Sequence, residues 1–210
     1  RRSSDLTATS GAVTASGLTM ATSRLLGRTT AGAGAIEEIT TGTGLALSSG
    51  SLILSQPLTL GTAQTSTSGT NIDFTGIPSW VRRVTVMFNG VSTNGSSEYL
   101  MQLGAGSFLA TGYNSYGMGF GGGSGSGAAY TTGFGVRIVG ATRVVSGMAI
   151  FSLVTGNTWS SQHSFASGST TDGFFGAGGV TLSGVLDRIR ITTVGGTDTF
   201  DAGTINILWE

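Results

Sequence analysis

The chain has 210 residues, with ten arginines and ten acids in formal balance, no lysine and no cysteine. Balanced charge with no basic run longer than two residues argues against a nucleic-acid surface, which needs clustered cations. The cysteine count excludes disulfides, thiolate catalysis and zinc knuckles.

Residues 1–23 are small, polar and rich in Thr and Ser, which are mediocre helix formers. They are expected to be extended and held by a partner strand or subunit. Residues 24–56 alternate short leucine-rich pairs with Gly, Thr, Ala and Ser, and place Glu37 and Glu38 midway. Such a segment cannot bury enough apolar surface alone to offset its ordering entropy. It reads as one strand of an intertwined, symmetric assembly that needs identical neighbours. Pro57 marks a boundary, because proline cannot donate to a ladder and suits a strand start. The predicted division is a shaft or neck over 1–57 and a second domain over 58–210.

From Leu58 onward strand-like runs recur every ten to fifteen residues, punctuated by Gly and Asn. Strands are predicted at 58–64, 71–74, 81–88, 99–103, 107–111, 130–139, 147–154, 158–165, 179–182, 186–193 and 204–209. Val84, Val86 and Phe88 share one face of their run; so do Ile189 and Ile191, and Ile205, Ile207 and Trp209. Period-two alternation means one buried and one wet face. With no convincing helix, the expected fold is all-β, an antiparallel, jelly-roll-like β-sandwich. The glycine-rich stretch 113–130 is expected to be a long, mobile loop at the domain tip. Its Gly117-Met118-Gly119-Phe120-Gly121-Gly122 run lacks the following helix of a dinucleotide site.

The first residue is Arg1, and the chain is expected to be the ordered end of a longer protein. It has no basic-then-apolar leader and no run of eighteen apolar residues, so neither signal-peptide export nor membrane insertion is expected.

The segment from Leu25 resembles the shaft-to-tip region of bacteriophage tail fibres. The matching positions are Leu25, Leu26, Gly27, Arg28, Thr30, Ala31, Gly32, Gly34, Glu37, Glu38, Ile39, Thr40, Gly42, Thr43, Gly44, Leu45 and Leu47. The final ten residues, DAGTINILWE, resemble the closing strand of phage fibre and spike tips. The resemblance implies a homotrimeric virion protein, a tail fibre or receptor-binding tip. It would join other virion proteins through its N-terminal side and attach to a host glycan or outer-membrane protein. A head fibre, a capsid decoration protein or another structural component without receptor binding is the alternative.

Candidate receptor contacts are the rings around the presumed tip loop, Tyr113, Tyr116, Phe120 and Tyr130, with Trp159 and His163. Rings on small-residue loops give contact area at low entropy cost; the competing role is anchoring the loop to the core. Arg24 and Arg28 are expected to pair with Glu37 and Glu38 of a neighbouring subunit and fix the trimer register, the acids otherwise forming a solvated bend. Ser160, Ser161, His163 and Asp172 have the residue types of a hydrolytic group, but no Gly-x-Ser-x-Gly elbow frames them. No enzymatic role, cofactor or metal is expected.

Overall fold

The computed structural model describes residues 20–138, 143–168 and 171–210. Every regular element among them is a strand, and every strand pair is antiparallel. The chain divides into two compact units, Arg1–Gln56 and Pro57–Glu210.

In the first unit, β1 (Arg24–Gly27) pairs with β2 (Glu37–Thr40). Strands β3 (Leu45–Ser48) and β4 (Ser51–Leu54) form a hairpin over Ser49 and Gly50. Both turn residues have positive φ, 49° and 80°, the primed geometry that matches strand twist. No described residue of this unit is buried. Leu26 is 50%, Ile36 68% and Leu54 61% exposed, so the apolar side chains form no core among the described residues of this unit.

The second unit begins with β5 (Thr59–Leu60), β6 (Gln64–Thr65), β7 (Ile72–Thr75), β8 (Arg83–Thr93), β9 (Tyr99–Ala105) and β10 (Ser107–Phe108). It continues with β11 (Asn114–Gly121), β12 (Ser124–Tyr130), β13 (Phe134–Val136), β14 (Val145–Thr155) and β15 (Thr158–Ser167). It ends with β16 (Gly173–Thr181), β17 (Arg188–Thr193) and β18 (Phe200–Trp209). A nine-stranded sheet runs β12-β11-β16-β15-β14-β8-β18-β5, with β6 also on β18. A five-stranded sheet runs β10-β9-β17-β7, with β13 also on β9.

One core is shared by the two sheets. Phe134 of the smaller sheet meets Phe151 of the larger at 5.3 Å, and Tyr99 meets Phe88 edge-on at 5.8 Å. The alternating positions Val84, Val86, Phe88, Ile189, Ile191, Ile205 and Ile207 all point into it. Trp209 is only partly buried.

The largest departure from the sequence reading is 113–130. It is no mobile tip loop but the hairpin β11–β12, closed by Gly122 and Gly123 at φ 59° and 82°. In YGMGFG the large residues face out and the glycines face in. A Cβ on Gly117 would fall 2.6 Å from the Gly135 carbonyl oxygen, so the approach of β13 requires glycine there. Other predicted strands change extent too. The run 58–64 divides into β5 and β6, 107–111 shrinks to β10, and 179–182 is the end of the longer β16. The run 130–139 is not one strand: Tyr130 closes β12, β13 covers Phe134–Val136, and residue 139 lies outside the described residues.

Candidate functional site

The face of the nine-stranded sheet turned away from the core carries the side chains that alternate with the buried ones. The register lines them up in rows. Met118 lies opposite Phe175, Phe175 opposite Ser164, and Ser164 opposite Met148. In the next row Tyr116 lies opposite Ala177, Ala177 opposite Gln162, and Gln162 opposite Ile150. Between the rows runs a groove of about 660 Å³, floored by Gly176 and Ala177, with no acid or arginine among its lining residues.

Glycines set the attitude of the rings. A Cβ on Gly127 would fall 2.7 Å from the Tyr116 ring, and one on Gly125 would fall 2.8 Å from the Phe120 ring. Both rings therefore lie across the edge strand β12 instead of standing off the sheet. Phe120 meets Phe175 edge-on at 6.3 Å. Tyr116 remains 52% exposed and Phe120 46%.

Of the six aromatic and imidazole candidates, only these two reach solvent. Tyr113, Tyr130, Trp159 and His163 are buried; of these four only His163 borders the groove, from beneath. The Tyr113 hydroxyl accepts from the Leu103 N–H at 2.8 Å and donates to its carbonyl at 3.3 Å; its ring meets Phe134 edge-on at 5.0 Å. Burial pushes that hydroxyl's pKa up. The Tyr130 hydroxyl donates to Glu98, which also pairs with Arg137, and burial raises its pKa to about 12. Trp159 belongs to the shared core. Tyr113 and Tyr130 thus anchor the ends of the hairpin rather than displaying it.

His163 is buried and forms part of the groove floor beside Gly176. Its ring is 5.7 Å from Phe165, and a Cβ on Gly176 would fall 2.2 Å from it. Both ring nitrogens and the Ser161 hydroxyl lack a hydrogen-bond partner, while Asp172 pairs with Arg143 at 2.7 Å. Ser161, His163 and Asp172 therefore form no proton relay. Burial lowers the His163 pKa to about 4, against about 6.5 for a solvated imidazole. In the unfolded chain the ring takes a proton near pH 6.5; in the folded chain it resists. Stability should be complete above about pH 6.5 and fall as the pH drops toward about 4, by on the order of 3 kcal/mol. His163→Phe keeps a ring and removes both unpaired nitrogens, so it should flatten that slope in urea unfolding at pH 7 and pH 4.5. An unchanged slope would mean that the folded imidazole titrates normally.

The four shaft candidates pair with one another within the chain. Arg24 meets Glu38 at 3.9 Å and Arg28 meets Glu37 at 3.4 Å, across the β1–β2 pair and its loop. Glu37 also accepts the Thr30 hydroxyl and, at 3.1 and 3.0 Å, the Thr29 N–H and hydroxyl. These bonds, the Thr30 hydroxyl foremost, hold its carboxyl below the usual carboxylate range. Arg28 donates to the carbonyls of Gly32 and Ala35 at 2.9 and 3.0 Å. The local reason is loop closure: Arg28 and Glu37, nine residues apart, tie the ends of the loop with one cation and one anion.

No group of three or more His, Asp or Glu is placed to hold a metal ion among the described residues. Met118, Met148, Ile150, Gln162 and Phe175 line the groove without having been singled out in the sequence. The signal was present as the large–small alternation of YGMGFG and of FGAGG, hidden because glycine takes the inner positions. Comparison with known proteins finds no matching family, no similar curated protein and no similar solved structure.

Proposed function

We propose that the chain belongs to a homotrimeric bacteriophage appendage, a tail fibre or receptor-binding tip, that attaches the virion to the host surface without covalent chemistry. The observation that carries this reading is the first unit. It has four strands, a run of exposed Leu and Ile, and no buried residue among those described. Ordering a residue costs about 1–2 kcal/mol, while burying a Leu or Ile returns about 1.5–3 kcal/mol only if it leaves water. On this reading that burial comes from other copies. The fibre-like LLGR-to-GTGL pattern falls on this same unit and supports a threefold neck.

The second unit then serves as a jelly-roll-like sandwich tip, with the neutral groove of the nine-stranded sheet as the contact surface. The N-terminal side joins other virion proteins. Three grooves per particle gain avidity through effective concentration, so each one need not bind tightly.

The test uses the purified chain. Light scattering should give three copies, and the trimer should bind host cells and block phage adsorption. A trimer that leaves adsorption untouched would move the protein to a head-fibre or decoration role. A stable monomer would remove the neck.

A further inference from the structure

The outer face of the larger sheet offers a concave site and a limited area. Tyr116, Met118, Phe120, Met148 and Phe175 are each 41–52% exposed. With side chains of this size carrying about 150–250 Å² each, they present roughly 500 Å² together. A stable protein partner needs about 800 Å² from each side, so the patch is too small to be such an interface alone. The groove volume of about 660 Å³, in contrast, lies within the roughly 300–1,000 Å³ of small-ligand sites.

The lining is ordered across the strands. Tyr116, its ring laid over β12, and Phe175 border the β11–β16 end, Gln162 and Ser164 occupy β15 in the middle with His163 in the floor, and Met148 and Ile150 close the β14 end. Three strand spacings of about 4.8 Å make this path about 14 Å long. No acid or arginine lines it. An anionic ligand would lose its hydration there without gaining a counter-charge.

From these observations we infer that the groove is a saccharide site selecting an uncharged sugar with an apolar face, of the 6-deoxyhexose type, within a short neutral oligosaccharide. This rests on the attachment reading. The sugar's C–H face stacks on Tyr116 and Phe175, its hydroxyls exchange hydrogen bonds with Gln162 and Ser164, and its methyl group meets Met148 and Ile150.

The experiment is saturation-transfer NMR on the purified full chain, with methyl α-L-rhamnoside, methyl α-D-glucoside and methyl α-D-glucuronide as probes. Host-cell binding and light-scattering mass are measured on the same samples. The expected result is saturation of the rhamnoside above the glucoside, with the glucuronide at least tenfold weaker. Ala177 is exposed on the groove floor. Ala177→Glu should therefore cut rhamnoside binding at least tenfold with mass and circular dichroism unchanged, and Gln162→Ala should do so without adding charge. Several results overturn the inference: no binding of either neutral glycoside, preference for the glucuronide, or full binding by Ala177→Glu. If Ala177→Glu dissociates the oligomer, the face belongs to a second copy. Cell binding that persists without glycoside binding, and is lost on protease treatment of the cells, overturns the sugar site and leaves attachment standing. Failure of the wild-type chain to bind cells overturns attachment and the sugar site with it.

Discussion

Gly203→Ala should destabilise the second unit by about 3 kcal/mol or more, the sum of a strained backbone and an overpacked contact. Gly203 lies in a bulge of β18, where the pairing with β8 skips between Ala202 and Thr204. Its φ is +98°, a region that costs any residue with a Cβ. An added Cβ would fall 2.4 Å from the Gly90 carbonyl oxygen, 2.6 Å from the Gly90 carbonyl carbon and 2.7 Å from the Val91 Cα. All three are backbone atoms, so no rotamer change relieves the clash. The strands themselves must part, in the pair that joins the last strand to the centre of the larger sheet. Gly106→Ala separates the two contributions. Gly106 has φ +74° with open space around its Cβ position, so it should cost only about 1–2 kcal/mol of conformational strain. Urea unfolding of both variants reads the difference; equal losses would mean that β8 and β18 adjust freely.

Phe134→Ala should cost about 3–5 kcal/mol. Phe134 is fully buried on β13, the short strand that passes close over Gly117 of β11. Its ring meets Tyr113 at 5.0 Å and Phe151 at 5.3 Å, and so joins hairpin anchor, smaller sheet and larger sheet. Truncation leaves a cavity among stiff rings, which collapse poorly. The midpoint of urea unfolding should fall while the slope stays the same. Phe175→Ala is the matched control. The same residue type on the outer face is 46% exposed and should change stability by about 0.5 kcal/mol or less. If the outer phenylalanine costs as much as the inner one, that face is covered in solution, and the groove is not free to take a ligand.

Val84, Val86 and Phe88 announce a half-buried strand because apolar and polar residues alternate with period two. The structure buries all three. Residues 113–130 mislead for the opposite reason. Their period-two pattern is large against glycine, and a hydrophobicity pattern cannot show that the smaller member is the buried one. Nothing local says that β13 will pass within van der Waals distance of Gly117. The same limit holds for Tyr113, Tyr130 and Trp159. A ring beside glycines suits a recognition loop or a core anchor equally well, and only the partners, Leu103 for Tyr113 and Glu98 for Tyr130, decide. The pairing of Arg24 and Arg28 with Glu38 and Glu37 is legible from charge. That it closes within one chain is not, because loop geometry sets it.

By itself the amino-acid sequence determined an all-β chain, the alternating strands of its core and an N-terminal segment of short apolar runs set among Gly, Thr, Ala and Ser. Those properties follow from local periodicity and composition, which travel with the residues. Only the tertiary structure decided which strands far apart in the chain pair, which aromatics are inside, and that Tyr116, Phe175 and Gln162 converge on one uncharged groove. Register across neighbouring strands brings those three residues together, and register is set by the packing of two sheets against each other, which no window of sequence contains.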